Sequence, residues 1–257
     1  MKIYRFKHEG KVSYGILEED RLYPCEGSPF RSFKVKTPGV PISRVVLLPP
    51  VKPTKIVAIG VNYKDHAMER GRPIPEEPLI FLKPPSAVAG PNDIIIYPKM
   101  AKRVDYEGEL AVVLKKRAHH LSEKDDAAKY ILGYTCFNDI TARDLQQKDG
   151  QFTRAKSFDT FAAFGPCIAT DIDPSRLRIK TFLNGKLRQS GNTRNLIFAV
   201  PHAVRFVSNV MTLLPGDIIT TGTPAGVGPM IPGDRVDVQI EGIGTLSNTV
   251  MTITIKE

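Results

Sequence analysis

Asp105-Tyr106-Glu107-Gly108-Glu109 runs directly into the apolar segment Leu110-Ala-Val-Val-Leu114. Acidic residues are poor strand formers, so an acidic cluster feeding such a run calls for an explanation. Side chains alternate along a strand, so Glu107 and Glu109 point to one face. Two carboxylates that close repel unless a cation or a proton sits between them. Oxygen ligands select hard cations, which favours Mg²⁺, Mn²⁺ or Ca²⁺ over zinc. Solvated acids on an exposed strand edge would account for the same spacing. A second segment, Phe137-Asn138-Asp139-Ile140-Thr141-Ala142-Arg143-Asp144-Leu145-Gln146, places Asp139 where a strand gives way to a helix. Ligands and catalytic groups often stand at such junctions, and capping the helix is compatible with either role. Arg143 and Gln146 lie three apart on one helix face. The first can fork onto a carboxylate and the second can donate to an oxygen.

These groups need a frame. Residues 2–24 read as a small antiparallel meander, and Pro49-Pro50-Val51-Lys52-Pro53 as a stiff connector behind it. That divides the chain into a small N-terminal β domain, 1–50, and a larger domain, 51–257. In the larger part, strands are predicted at 55–59, 93–97, 109–114, 133–138, 164–169, 178–183, 217–221, 235–240 and 246–255. Helices are predicted at 63–70, with Asn62 as N-cap and Gly71 as stop, and at 123–130, 141–148 and 199–210. Pro215-Gly216-Asp217 and Pro232-Gly233-Asp234 are matching turns that each open a strand. Strands outnumber helices and do not alternate with them, which disfavours a Rossmann or barrel α/β fold. The fold class is mixed and mostly β, with a few short helices.

Composition narrows the function. At 257 residues, with 42% hydrophobic and 25% charged residues, the chain can bury a full-sized core. The net charge of +9 raises nucleic acid as a partner. The basic residues are spread along the chain, and clusters such as Lys115-Lys116-Arg117 carry no interleaved aromatics, so no nucleic acid is expected. Cys25, Cys136 and Cys167 have no short spacing and suit neither a disulfide framework nor a thiolate zinc site. No apolar run is long enough to span a bilayer and the first residues are not a signal peptide, so the expected location is the cytoplasm. A non-haem iron oxygenase would need paired histidine ligands, which have no candidate here.

The chain resembles the fumarylacetoacetate hydrolase superfamily from about Pro49 onward. The resemblance is carried by Gly60-Val-Asn-Tyr-Lys-Asp-His66, Phe81-Leu-Lys-Pro-Pro85, Asp105-Tyr-Glu-Gly-Glu109, Phe137 to Gln146, Lys156-Ser-Phe-Asp-Thr160 and Thr221-Gly-Thr-Pro-Ala-Gly-Val-Gly228, in the family's order. It implies a β-rich catalytic domain, a β-roll of mixed sheets. It also implies a divalent metal, usually Mg²⁺, on Glu107, Glu109 and Asp139, with a pyruvate-like moiety chelated to it. A helical lid would carry His66 and Glu69. These two are three apart on the predicted helix, so the carboxylate can orient the imidazole as a general base near neutral pH. Lys156 matches the family's lysine beside the metal and, with Arg143 and Gln146, would hold oxyanion or enolate charge. Thr223, in a glycine-rich turn, would bind a substrate carboxylate, and Lys83 would either attract an anionic substrate or serve the structure. That turn is not a nucleotide phosphate loop, because no Gly-Lys-Ser/Thr ends it. The implied enzyme acts through an enolate on a small 2-oxo or 2-hydroxy-2-enoic acid, as in 2-hydroxyhepta-2,4-diene-1,7-dioate isomerases of aromatic catabolism. The family equally contains acylpyruvate and fumarylpyruvate C–C hydrolases and oxaloacetate decarboxylases. Its members are commonly homodimers.

Overall fold

The computed structural model describes residues 1–71 and 73–252. Its backbone is mostly β. Ten strands make the main path of one large sheet, in the order Phe33–Val35, Arg21–Gly27, Lys11–Glu18, Lys2–His8, Ala162–Ala169, Ile131–Asp139, Gly108–Leu114, Ile218–Thr220, Ile56–Gly60 and Leu79–Lys83. Pairing is antiparallel except between Ile218–Thr220 and Ile56–Gly60, which run parallel along this path. A five-stranded sheet (Ile94–Ile96, Gly244–Met251, Arg235–Ile240, Arg178–Leu183, Lys186–Asn192) packs against it. A three-stranded ribbon of Thr141–Ala142, Val104–Tyr106 and Gly228–Met230 completes the architecture.

The N-terminal meander forms as predicted, and it extends the large sheet. Lys2 and Ile3 pair with Ala169 and Ile168. The strand Gly108–Leu114 is buried at every position, because both faces of the sheet are covered. Leu110, Val112 and Leu114 enter the larger apolar core, while Ala111 and Val113 enter the second, with Phe137, Phe164 and Ile218. A strand covered on both faces reads as a continuous apolar run rather than an alternating one.

Four short helices matter: α1 (Lys64–Glu69), α2 (Arg143–Asp149), α3 (Thr153–Lys156) and α4 (Val200–Val210). The first, second and last fall close to the predicted spans, whereas α3 was not predicted. Around 123–130 only a 3₁₀ turn, Ala127–Tyr130, is found. Asn62 is not the N-cap of α1. Tyr63 holds that position without a side-chain cap bond, while the buried Asn62 amide accepts from Phe198 N (2.7 Å) and donates to the Thr221 (2.8 Å) and Phe198 (3.1 Å) carbonyls. Asn62 therefore ties the entry of α1 to two other loops. Asp139 likewise does not cap α2, since that place belongs to Ala142. The predicted strand 246–255 is observed as Gly244–Met251, and 253–255 lie outside the described residues.

Candidate active site

Glu107 stands at a break between Val104–Tyr106 and Gly108–Leu114, which belong to different sheets. The two glutamates thus reach one place without lying on one continuous strand. The break is held by side chains: Glu107 N donates to Asn138 Oδ1 (3.0 Å) and Gly108 N to Gln189 Oε1 (3.0 Å). Asp139 N donates to the Glu107 carbonyl (2.8 Å), which fixes the end of Ile131–Asp139 beside it. Gly108 is required at this approach, because a Cβ there would meet Thr181 Oγ1 at 2.2 Å. Ligand oxygens of Glu107, Glu109 and Asp139 lie within 4.8 Å of one another, and all three residues are buried.

Around the triad the charges are largely matched. Lys156 Nζ bridges Glu107 (2.9 Å) and Asp139 (2.5 Å). Arg143 contacts Glu107 through one terminal nitrogen, Gln146 Oε1 through the other (2.6 Å) and Asp105 through Nε (2.9 Å). Lys83, fully buried, pairs with Asp139 and the Ile140 carbonyl (3.2 Å). Burial opposes ionisation of Glu107, but Lys156 and Arg143 outweigh it and hold the carboxyl well below its ordinary range. Burial likewise works against the Lys156 ammonium, yet Asp139 and Glu107 raise its pKa. Lys156 thus stays charged and is not a proton acceptor at neutral pH.

Glu109 is the exception. It accepts the Gly222 N–H (2.9 Å) and, among the described residues, forms no ion pair. Burial, then the charges of Asp139 and Glu107, push its carboxyl well above the usual range. A third buried carboxylate without a cation, in an all-oxygen group, is the donor set that a hard divalent ion fits. Gly222 can present its N–H because its φ is +84°, and a Cβ there would meet Asn62 Cβ at 2.9 Å.

The opposite wall comes from α1. With six residues this helix is too short to stand alone. It is held by the buried Tyr63 and Ala67, a bridge from Tyr63 to Leu196, and Glu69. Glu69 accepts from Gly226 N (3.0 Å) and lies 3.2 Å from His66 Nδ1. Burial lowers the His66 pKa, opposed by Glu107 and Glu69, so its imidazole is neutral near pH 7. Between the walls lies a cavity of about 110 Å³, lined among others by His66, Glu107, Glu109, Asp139, Arg143, Gln146, Lys156 and Thr223, with Phe81 and Phe152 on its apolar side.

Of the ten residues proposed from sequence, the structure gathers His66, Lys156, Arg143, Gln146, Thr223 and the triad around this cavity, with Glu69 directly behind His66. Two have different surroundings from those expected. Lys83 does not line the cavity and lies behind Asp139 as its counter-ion. The Thr223 hydroxyl donates to the Gly108 carbonyl (2.9 Å) and accepts from Gln189 (2.7 Å), so its proton is committed within the protein. Sequence reasoning missed Asp105, which anchors Arg143, and Gln189, which fastens the Glu107-Gly108 break to the Thr221–Gly228 loop. Arg70 and Phe152 in the lining were missed too.

The model of the fumarylacetoacetate (FAA) hydrolase C-terminal family matches residues 55–251, and a Rv2993c-like N-terminal model matches 1–50. The chain belongs to the fumarylacetoacetate hydrolase family. It is an enzyme. Oxaloacetate tautomerase YisK of Bacillus subtilis is 45% identical over 81% of this chain and 74% of its own. The structure of 2-hydroxyhepta-2,4-diene-1,7-dioate isomerase from Mycobacterium marinum superimposes with TM-score 0.90 at 42% identity, covering 98% of both chains. Maleylpyruvate hydrolase of Sphingobium sp. SYK-6, solved with manganese(II) and pyruvate, superimposes with TM-score 0.82 at 30% identity, covering 99% of this chain and 100% of that one. Within the family these names span isomerase, tautomerase and hydrolase.

Proposed function

We propose that this enzyme is a divalent-metal-dependent isomerase of small 2-oxo or 2-hydroxy-2-enoic acids, of the 2-hydroxyhepta-2,4-diene-1,7-dioate isomerase or oxaloacetate tautomerase type. The observation that carries this reading is an imidazole held 3.2 Å from the Glu69 carboxylate and facing a carboxylate triad across one small cavity. Glu107, Glu109 and Asp139 would hold Mg²⁺, with Mn²⁺ or Ca²⁺ as substitutes, which when bound supplies Lewis acidity toward the 2-oxygen and carboxylate of the substrate.

The chain's own residues then divide the work. His66 takes a proton from the carbon next to the 2-oxo group and returns it to oxygen or to a more distant carbon. Glu69 steadies the imidazolium formed in between. Arg143 has two N–H groups beyond those bound to Asp105, Glu107 and Gln146, and these donate to the developing oxyanion. The Gln146 oxygen is held by Arg143, which leaves its amide hydrogens free to donate to a substrate in the cavity it lines. The remaining N–H of Lys156 adds a third donor.

The test is to incubate Mg²⁺-treated and EDTA-treated protein with oxaloacetate, acetylpyruvate and fumarylpyruvate and to identify products by NMR, with Glu107→Ala as control. Metal-dependent tautomerisation or isomerisation supports the reading. Pyruvate released from the acylpyruvates would replace it with C–C hydrolysis, and CO₂ from oxaloacetate with decarboxylation. No metal-dependent turnover of any of the three would overturn it.

A further inference from the structure

Arg70 follows α1 directly, its backbone N–H closing the helix onto the His66 carbonyl (3.1 Å). Its side chain lines the same cavity as Glu107, Asp139 and Arg143. Among the described residues its guanidinium makes no ion pair and no hydrogen bond. The acid beside it in sequence, Glu69, is engaged by His66 and Gly226. Asp105 and Glu107, on the far wall, are engaged by Arg143. Burial works against the Arg70 charge and Arg143 repels it, while Glu107, Asp105 and Glu69 attract it without pairing directly with it. Two guanidiniums thus face one cavity, one ion-paired with Asp105 and Glu107 and the other, among the described residues, in no ion pair. A planar fork of five donors is matched by a carboxylate, which it can bind through two parallel bonds. The cavity volume of about 110 Å³ suits a small acid.

We propose that Arg70 is a specificity-determining residue that binds the second carboxylate of a 2-oxo dicarboxylate whose 2-oxo end lies against Glu107, Glu109 and Asp139. This rests on the function proposed above and narrows it to dianionic substrates. Because Arg70 closes α1 onto the His66 carbonyl, a dianion held between Arg70 and the triad also bridges the two walls, so the distal carboxylate helps seat His66. A monoacid of equal length lacks that bridge.

The experiment compares wild type, Arg70→Ala and Arg70→Lys, loaded with Mg²⁺, on oxaloacetate and on 2-oxobutyrate, which has a methyl group in place of the distal carboxylate. Calorimetric Kd is measured for both, with kcat and KM where turnover occurs. Arg70→Ala should raise Kd and KM for oxaloacetate about ten- to hundredfold, the loss of a charge-assisted pair. Its Kd for 2-oxobutyrate should stay within about twofold, and Arg70→Lys should recover part of the oxaloacetate affinity. An unchanged ratio of the two Kd values, or equal losses on both acids, would overturn the assignment. The Kd ratio is readable without turnover. A wild type that binds oxaloacetate through Arg70 but converts no 2-oxo acid would therefore count against the proposed reaction and leave the Arg70 assignment standing.

Discussion

Glu107, Glu109 and Asp139 sit on backbone held by neighbouring strands and by the Asn138 and Gln189 side chains. His66, Glu69 and Arg70 sit on and just after six residues of helix, pinned by a few contacts. The first wall is buried, and its Glu107 and Asp139 are cross-paired by Lys83, Lys156 and Arg143, Glu109 alone lacking a cation among the described residues. The second leaves Glu69 exposed and Arg70, among the described residues, without an ion-pair partner. Buried charge is tolerated only when paired, so the strand wall has the rigidity of a fixed electrostatic site. Under the proposed reaction the helix wall holds the groups whose state changes: a base that gains and loses a proton, and a cation that gains and loses an anion. Substitutions on the strand wall should therefore cost metal affinity and stability, and those on the helix wall should cost rate and selectivity.

The largest effect is expected for Glu109→Ala. It removes the ligand with no cation of its own, and metal-stimulated turnover should fall by at least about 10³-fold, with Mg²⁺ affinity lost in calorimetry. His66→Ala should lower kcat by about 10²- to 10³-fold, within the range a general base contributes, while Mg²⁺ affinity stays near wild type. If His66→Ala loses metal binding as well, the two walls are not separable. Lys83→Met should leave the cavity lining in place but remove a counter-ion of Asp139, costing about 3 kcal/mol in chemical unfolding of the metal-free protein. A substrate-attracting Lys83 would instead raise KM with no loss of stability.

The smallest expected change is in pH dependence. Burial holds the His66 pKa below its ordinary value. The neutral, basic form is then the one present at neutral pH, and kcat/KM should fall only as pH drops through that lowered pKa. Glu69 opposes the shift by favouring the imidazolium. Glu69→Gln should move the acid limb to still lower pH and cut the plateau by about tenfold. A limb that moves upward, or stays in place, would remove Glu69 from the role given to it.

Much of the candidate site was legible because its residues occur in short segments with fixed chemistry. Glu107, Glu109, Asp139, Arg143, Gln146, Lys156 and His66 all converge on one cavity. Charge partners were less legible. Lys83 looks like any cation near a substrate, and only its burial behind Asp139 shows whose charge it meets. Asn62 has the residue type and position of a cap, but tertiary partners at Phe198 and Thr221, more than a hundred positions away, claim its amide. The polar strand Lys186–Asn192 has little apolar alternation to announce it. Its turn, Asn184-Gly185, carried the signal: both residues have positive φ (51° and 75°), as a tight hairpin requires. The acidic break at Glu107 could not be read as a change of sheet, since the Gln189 that stabilises it lies on that same inconspicuous strand.

The most direct measurement of the central claim is deuterium exchange at C3 of oxaloacetate in D₂O, followed by NMR with Mg²⁺, with EDTA, and with the Glu109→Ala and His66→Ala variants. The account predicts rapid exchange by the Mg²⁺-loaded wild type and none above background in the other three samples. Exchange that persists in EDTA, or in His66→Ala at the wild-type rate, would contradict it.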